Sequence, residues 1–549
     1  MDTMEQRRGG VFPTPLSFAK KACEYLEKIM GTSQMQSGGY RLWDMAAGTG
    51  HLELFLPKKM LKYCYLSTRE QEDVQHLEKK FPDATAFQYD YLNDDVEQLF
   101  DAPTPILTRG CSFSRKMPDA LRQDLANPEI QWIILVNPPY ATAQEAGLKG
   151  TSKKSVSDTK IRKRMHAEGL GEVSRELYVQ FLYRIMNEFT NRKAILGLFS
   201  PLKYLISANY QKFRDNVFHA TFQSGFVFSS ENFAGTSKTS HFPVSFILWD
   251  IHQGKNVAEQ EMHLDILDSA AQQSGTKTVK PANRNEFLSR WIKRPRGTKI
   301  FPPFGSALTV KPDNVDTRNR IAEGFLASLM CPGNELQNQQ QTAFLSGPQA
   351  SAGAISVTPD NFEQAVVVFA ARRIPKDSWV NHVDQLMCPN RELSPQFIGD
   401  CAVWSLFDHK NQTVAMRNVI YRERVYQVVN HFFPFPLEVC NPHPNPPPTG
   451  EGTFVNSFVA DWLAKQTLSD AAQDVLTAAK EVYRFYFANG DRLPLTEFKI
   501  ETDDAGWYQI YKALRAARLG MDWLADLKER HDALKATILP QLYDYGIVT

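Results

Sequence analysis

Short apolar runs recur through the first 250 residues, most of them ending at a polar residue. They are Arg41–Trp43 before Asp44, Tyr63–Leu66, Ala84–Tyr89 before Asp90, Ile133–Val136 before Asn137, Ala194–Phe199, Gly225–Phe228 and Val244–Trp249. Most are β-branched or aromatic and short enough for strands buried on both faces. Between the early ones, Leu52–Lys62 and Glu70–Lys80 read as helices, the second mixed in charge and closed by Pro82. Strands alternating with helices predict a parallel, doubly wound α/β sheet. The last two runs leave no room for a full helix between them, which predicts an antiparallel pair at one edge. The expected fold class is therefore α/β, with a seven-stranded Rossmann-like sheet.

The rhythm stops near residue 250. Arg284–Lys299 is basic and interrupted by proline, and Pro302–Pro303 follow, so a boundary is expected there, with one domain over 1–300 and a second over 301–549. The second half mixes strand-like runs at Gln364–Ala371, Ala402–Leu406 and Arg424–Val429 with polar loops. Pro434–Gly452 holds seven prolines and cannot be helix or inner strand. Asn456–Phe487 and Trp507–Gln541 read as amphipathic helices, so the second region is expected to be mixed α+β and to end in helices. No internal repeat is visible.

Composition narrows the class. With 549 residues the chain exceeds a single ordinary domain. Its 43% hydrophobic and 22% charged residues exclude a disordered, collagenous or coiled-coil chain. Lys and Arg total 62 against 61 acids, so any polyanion must be met by a local patch rather than a whole-molecule field. No apolar stretch reaches the roughly 18 residues of a membrane span. Met1–Gly10 lacks the apolar core of a signal peptide, and a cytoplasmic location is expected. The seven cysteines are scattered, odd in number and without a CxxC pair, which argues against a disulfide framework or a structural zinc. No His/Cys/Asp spacing suits a metal, and none is expected; His51 and His166 read as surface or hydrogen-bonded residues.

Two motifs carry chemistry. Asp44-Met-Ala-Ala-Gly48-Thr-Gly50 follows the first strand and opens a helix, and its glycines let a backbone turn tightly and approach a ligand. Glu53 stands where a dinucleotide fingerprint needs a third small residue, which disfavours NAD and leaves room for a nucleoside without a pyrophosphate. Alone, such a turn is also an ordinary strand–helix connection. Asn137-Pro138-Pro139-Tyr140 is more specific. It ends a buried strand, at the carboxyl edge where open α/β sheets bind ligands. Its prolines stiffen the backbone and remove two donors, leaving the Asn137 side-chain oxygen and the Pro138 carbonyl as acceptors beside an aromatic ring. A conjugated exocyclic amine has a delocalised lone pair. Accepting both its N–H protons bends the nitrogen toward sp³ and frees the pair to attack a methyl group, while Tyr140 stacks on the base.

Together these residues give the outline of a class I methyltransferase, and from Val11 to about Asp250 the chain resembles a γ-class amino-methyltransferase acting on DNA adenine N6. Phe12-Pro13-Thr14-Pro15 is similar to that family's N-terminal element, Asp44–Gly50 to its Gly motif, and Asn137–Tyr140 to its catalytic motif, in the family's order. Val227-Phe228 and Phe242–Trp249 resemble its final hairpin. The resemblance implies an S-adenosylmethionine cofactor bound by Phe12, Thr14, Pro15, Asp44, Ala46, Gly48, Gly50, Thr68, Asp90 and Tyr91. It implies a catalytic set of Asn137, Pro138, Pro139 and Tyr140 acting on an adenine flipped from double-stranded DNA, and a target-recognition region from about 300 onward. Met45 departs from the family's usual Pro. The ribose-binding acid after the second strand has no clean match, and Thr68 and Glu70 remain alternatives.

Lys149–Arg164 contains seven basic residues and one acid, Asp158, punctuated by Gly, Ser and Thr. As a mobile loop it would clamp phosphates through Lys153, Lys154, Arg162, Lys163 and Arg164, or it is a solvated surface. Arg284–Lys299 could likewise track a nucleic-acid backbone. The expected function is a site-specific DNA adenine-N6 methyltransferase of a restriction–modification or related defence system, with or without a partner subunit, or an orphan enzyme. Alternatives are a methyltransferase of RNA bases or protein glutamine, and a catalytically silent DNA-binding or assembly subunit. Glu497-Phe498-Lys499 has a nuclease-like Glu-x-Lys form but no acidic partner at strand spacing. The short segment before Phe12 is expected to leave no room for an N-terminal nuclease or for the N-terminal helical domain of type I modification subunits.

Overall fold

The computed structural model describes residues 13–96, 116–140, 159–189, 191–233, 241–252, 254–281, 283–310, 320–349, 353–436, 457–501 and 504–548. The chain forms two compact units. The first takes Met1–Arg284 with the short return Ser378–Val383, and the second takes Asn285–Asp377 with Asp384–Thr549. The chain thus parts at Arg284, before the expected boundary near 300, because Leu288 and Ile292 are already buried in the second unit's core.

The first unit is built on β1 (Tyr40–Asp44), β2 (Cys64–Thr68), β3 (Thr85–Gln88), β4 (Gln131–Val136), β5 (Ala194–Pro201), β6 (Thr221–Ser229), β7 (Pro243–Asp250), β8 (Met262–Leu267) and β9 (Gln273–Val279). They form one nine-stranded sheet in the order β3-β2-β1-β4-β5-β7-β6-β8-β9. The strands from β3 to β5 are parallel; β7 runs antiparallel to both β5 and β6. The expected seven strands are present, and β8 and β9 extend the sheet beyond β6. Their sequences, MHLDIL and QSGTKTV, are too polar to register as apolar runs.

Alternation along the strands gives the sheet two cores. Leu42, Leu66, Ile133, Leu135, Phe226 and Leu248 face α1 (Leu16–Met30), which buries Phe18, Ala19, Ala22, Cys23 and Leu26. Trp43, Tyr65, Trp132, Ile134, Val227 and Trp249 share the other core with the later helix Leu177–Phe189. Burial on both faces explains why these strands read as continuous apolar runs.

Two local expectations change. Leu52–Lys62 is not an α-helix but two short 3₁₀ turns, Glu53–Phe55 and Lys58–Tyr63, separated at Pro57. Proline lacks an N–H and drives the preceding residue out of helical geometry, and Leu56 is extended at φ −71°, ψ 148°. Glu70–Lys80 does fold as a helix, α2 (Gln71–Lys80). After α3 (Asp119–Ala126), the end of the basic segment is helical rather than loop: α4 (Lys160–Ala167) starts where Thr159 accepts the Arg162 N–H at 3.1 Å, and buries Ile161 and Met165 one turn apart.

The second unit holds a four-stranded sheet of β10 (Ala327–Met330), β11 (Ala343–Leu345), β12 (Ala354–Val357) and β13 (Asn411–Gln412), in the order β12-β10-β11-β13, and a separate hairpin, β14 (Met416–Tyr421) with β15 (Arg424–Val428). The runs at 364–371 and 402–406, expected as strands, are helical. They lie in α6 (Phe362–Arg373) and α7 (Pro395–Phe407), whose side chains are buried almost all round. A short apolar run cannot separate a buried helix from a buried strand by periodicity. The start of α7 was nonetheless encoded by Ser394, which caps Phe397 N–H at 3.2 Å, with Pro395 in the first turn. Both long C-terminal helices are broken. The first divides into α8 (Phe458–Leu463) and α9 (Asp470–Ala488), the latter capped by Ser469. The second divides into α10 (Trp507–Ala517) and α11 (Met521–Asp544), at the left-handed residues Arg518 and Gly520. Among the described residues no helix is long and apolar enough to cross a membrane.

One buried ion pair organises the turn after β3. Arg184, on α5 (Leu177–Phe189), is fully buried and bonds Glu188 at 2.7 Å. It also donates to the Tyr91 and Asp94 carbonyls and to the Tyr89 hydroxyl, while Tyr91 donates to Glu188 at 2.6 Å. Arg184→Ala is expected to destabilise the first unit by about 3–5 kcal/mol, because Glu188 is left charged and unpaired. Arg184→Met with Glu188→Leu should cost less than the single change. Urea denaturation of the three proteins checks this; a double variant weaker than Arg184→Ala would refute it.

Candidate active site

The carboxyl ends of β1, β2, β3 and β4 lie along one edge of the sheet. β1 and β4 are neighbours, with Trp43 in register with Ile134, and strand order reverses direction between them. In open α/β sheets ligands bind outside the strand ends at such a reversal. This pairing sets the Gly turn after Asp44 beside Asn137–Tyr140.

Thr14 ties the two together. It is buried, and its Oγ1 accepts the Asn137 Nδ2–H at 2.8 Å. Its carbonyl lies 2.8 Å from His51 Nδ1, at the end of the Gly turn. Pro15 begins α1, whose Phe18 stacks on Phe228 of β6 at 4.0 Å and so fixes the segment over the sheet. With its N–H₂ committed to Thr14, Asn137 turns Oδ1 toward Tyr140, whose hydroxyl donates to it at 2.7 Å. Tyr140 is half-buried, its ring edge-on to Phe233 at 6.0 Å. Pro138 is buried and Pro139 half-buried. Neither carries an N–H, so this strand end presents oxygen acceptors and a ring.

The two glycines of the turn do different work. Both have positive φ, 51° at Gly48 and 70° at Gly50. A Cβ on Gly50 would meet Phe81 at 2.5 Å and Leu77 at 2.8 Å, so glycine there is a packing requirement. Among the described residues, a Cβ on Gly48 would meet nothing nearer than the Ala46 carbonyl at 3.9 Å. Gly48 therefore borders open space, and Ala46 beside it donates its N–H to Asp44 Oδ1 at 2.7 Å. Lys80 of α2 steadies the turn by donating to the carbonyls of Thr49 and Gly50 at 2.8 and 3.0 Å.

Beneath the turn Asp44 and Glu53 are both buried, near enough for the charge of one to act on the other. Burial pushes both pKa values up, and the Glu53 charge pushes Asp44 further. Two buried carboxyls so placed resist ionising together. Lys80 favours ionisation of Glu53, while the Cys23 and Cys64 thiols nearby are themselves driven up by burial. The role of Glu53 escaped the sequence reading, since nothing in its neighbours shows that an acid nine residues after Asp44 turns inward.

Thr68 ends β2 beside this site and donates to Asp73 of α2 at 3.5 Å. Asp73 is a third candidate to set beside Thr68 and Glu70. Burial raises its pKa, whereas Glu70 is exposed and bonded to Arg69 at 2.8 Å. Asp90 closes its own turn, accepting from Leu92 N–H at 3.1 Å and Asn93 Nδ2 at 2.8 Å. The Tyr91 ring is buried against Phe181 at 5.4 Å and is not brought to the strand-end surface. Phe12, Lys153 and Lys154 lie outside the described residues. Arg162, Lys163 and Arg164 stand on α4; Lys163 is exposed, and Arg164 pairs with Glu168 at 3.2 Å.

No family model matches the chain, and no curated protein matches it. Solved structures do. The DrdV–DNA complex shares 17% identity over 52% of this chain and 33% of its own, with a TM-score of 0.35. The type IIG restriction endonuclease BpuSI shares 15% over 50% and 31%, with a TM-score of 0.32. The type IIL restriction-modification enzyme MmeI, in complex with DNA, shares 9% over 98% and 80%, with a TM-score of 0.33. The chain spans about a third of the length of the first two.

The acid pair predicts a pH dependence. Its folded pKa values lie above those of the unfolded chain, so its contribution is greatest below the unfolded carboxylate range, near pH 4, and is lost as pH rises through the folded values. Glu53→Gln removes one of the two charges. Its stability relative to wild type is expected to rise steadily from pH 5 to pH 9, followed by urea midpoints. A pH-independent difference would show that the two carboxyls do not titrate together.

Proposed function

We propose that the protein is an S-adenosylmethionine-dependent DNA adenine-N6 methyltransferase, the modification enzyme of a restriction–modification or related defence system, or an orphan. The observation that carries this reading is the convergence of Asn137–Tyr140, the Gly turn and Thr14 at the β1/β4 strand ends. The order of the first seven strands, β3-β2-β1-β4-β5-β7-β6 with β7 antiparallel to both its neighbours, supports it.

The residues present fit the cofactor. Open space lies over Gly48, and the buried Asp44–Glu53 pair sets negative charge beneath a ligand that carries a sulfonium and an ammonium group. Thr14, Pro15, Asp44, Ala46, Gly48, Gly50, Thr68 and Asp90 would hold it, together with Phe12 and the backbone of Tyr91, and Asp73 or Thr68 would meet the ribose. When bound, S-adenosylmethionine supplies an electrophilic methyl group. Double-stranded DNA is the partner, with the target adenine flipped out of the stack.

In this reading the Asn137 Oδ1 and the Pro138 carbonyl accept the two N6 hydrogens and localise the nitrogen lone pair. Tyr140 stacks on the base. Thr14 keeps the Asn137 amide from turning its N–H₂ toward the target, where it would repel a donor. Transfer is direct, with no covalent enzyme intermediate. Lys153, Lys154, Arg162, Lys163 and Arg164 would contact phosphates, and the second unit would read sequence.

Methylome sequencing of a methylation-free host expressing the chain tests the whole reading. N6-methyladenine at a defined motif is expected, and its absence, with S-adenosylmethionine still bound, would favour a silent subunit. Asn137→Ala should lower methyl transfer at least about a hundredfold, the scale of losing a positioned catalytic contact, with cofactor affinity within twofold of wild type. Gly48→Val should instead abolish cofactor binding, since a β-branched side chain would fill the space above the turn in a backbone it rarely adopts. Isothermal calorimetry separates the two; equal cofactor loss in a folded Asn137→Ala protein would break the assignment.

A further inference from the structure

The β14–β15 hairpin pairs with no other strand among the described residues. One face of it is seated. Met416, Tyr421 and Val428 are buried, Met416 and Val428 packing with Phe304, and Tyr426 meets Phe301 edge-on at 5.7 Å. The other face is bare. Ile420 and Val425 are directly opposed across the ladder and are 69% and 65% exposed. Exposed β-branched residues paired on a two-stranded ribbon invite association, and soluble proteins ordinarily blunt them.

Around this apolar pair the ribbon is cationic. Arg417, Arg422 and Arg424 are exposed, against Glu423 on the ribbon and Glu501, whose carboxylate accepts the Arg417 backbone N–H at 2.9 Å. Two of the arginines are held in place. Arg417 donates to Gln427 across the strands at 2.9 Å, and Arg422 lies over the Tyr421 ring at 5.2 Å. Arg422 and Glu423 form the two-residue turn, both with positive φ, 47° and 62°. Hairpin turns of that geometry favour Asn-Gly; here the tip keeps an arginine at a conformational cost.

We propose that this ribbon enters the major groove of double-stranded DNA, the Ile420–Val425 pair meeting thymine methyl groups and Arg422 and Arg424 meeting the flanking phosphates. The groove is about 12 Å wide and admits a two-stranded ribbon; apolar side chains recognise the thymine methyl there, and arginine fork geometry suits phosphate. The cationic rim favours a polyanion over a second apolar surface. The inference deepens the proposed function and rests on its assignment of DNA as partner.

The test uses the full-length protein and a labelled random-sequence duplex, followed by anisotropy across a salt series, with methyl transfer to methylation-free genomic DNA measured in parallel. Arg422→Ala with Arg424→Ala should weaken binding and reduce the log–log salt slope by about 1.8, two phosphate contacts at roughly 0.9 each. Wild type should bind thymine-containing duplex more tightly than the same pool made with deoxyuridine, by about fourfold for each methyl met, the worth of burying one such group. Ile420→Thr with Val425→Thr should erase that preference and leave the salt slope alone. An unchanged slope in the arginine variant, or a preference for thymine that survives in the Ile/Val variant, overturns the proposal. So does loss of self-association in either variant with DNA binding intact, which would make the ribbon a protein contact. Wild type that binds duplex through the ribbon and transfers no methyl group would sustain this inference and overturn the function proposed above.

Discussion

A single hydrogen bond, Asn137 Nδ2 to Thr14 Oγ1 at 2.8 Å, joins residues 123 positions apart and decides which way the Asn137 amide faces. An amide presents two donors on one side and an acceptor on the other. Turned one way, it accepts an amine's protons; turned the other, it opposes them. The bond exists only because the sheet order puts the ends of β1 and β4 side by side and because α1, anchored through Phe18 on Phe228, holds Thr14 above them. The topology is therefore a condition of the chemistry. A sheet lacking the β1–β4 neighbourhood would keep every motif residue and lose their arrangement.

Two charged assemblies support that edge, with opposite logic. Arg184 and Glu188 are buried and opposite in sign, and their bonds to the Tyr91 and Asp94 carbonyls and the Tyr89 hydroxyl satisfy the turn after β3. Such a cluster rigidifies what it touches, since leaving any member unpaired in a low dielectric is costly. Asp44 and Glu53 are buried with the same sign and resist joint ionisation. A like-charge pair is a poor way to stabilise a fold, and its position under an open turn makes sense if a cation comes to lie above it. The first cluster holds the loop still; the second leaves two acids of like sign beneath the turn.

Much of this was legible in the chain. The strand rhythm, the Gly turn and Asn137–Tyr140 all follow from short apolar runs that end at polar residues, a pattern produced by strands buried on both faces with a site at their carboxyl ends. What escaped notice has physical reasons. β9 is an edge strand and β8 beside it carries polar positions among its buried ones, so burial leaves little mark on either sequence. Residues 364–371 and 402–406 lie in helices with almost no solvent face, where the helical period vanishes from the sequence. Pro57 and Gly520, by contrast, were visible breakers whose weight against the surrounding helical pattern was underestimated. Arg184 and Glu53 look like ordinary solvated charges. Only the contacts made far along the chain bury them.

The glycine turn shows how one motif can combine two constraints that its spelling does not distinguish. Gly50 is demanded by the protein itself, because Phe81 and Leu77 occupy the space a side chain would need. Gly48 is not; the described residues leave its Cβ position uncrowded, and its positive φ alone would cost of order 1 kcal/mol for another residue. Internal packing therefore explains Gly50 completely and Gly48 only in part. The unexplained part is the room around Gly48, on the turn that follows Asp44. A site is recognised by such a residue of unexplained structure: positions where backbone strain, buried like charges and an oriented acceptor meet without any packing reason to do so. Here they lie at the reversal of strand order, the place where open α/β sheets bind ligands.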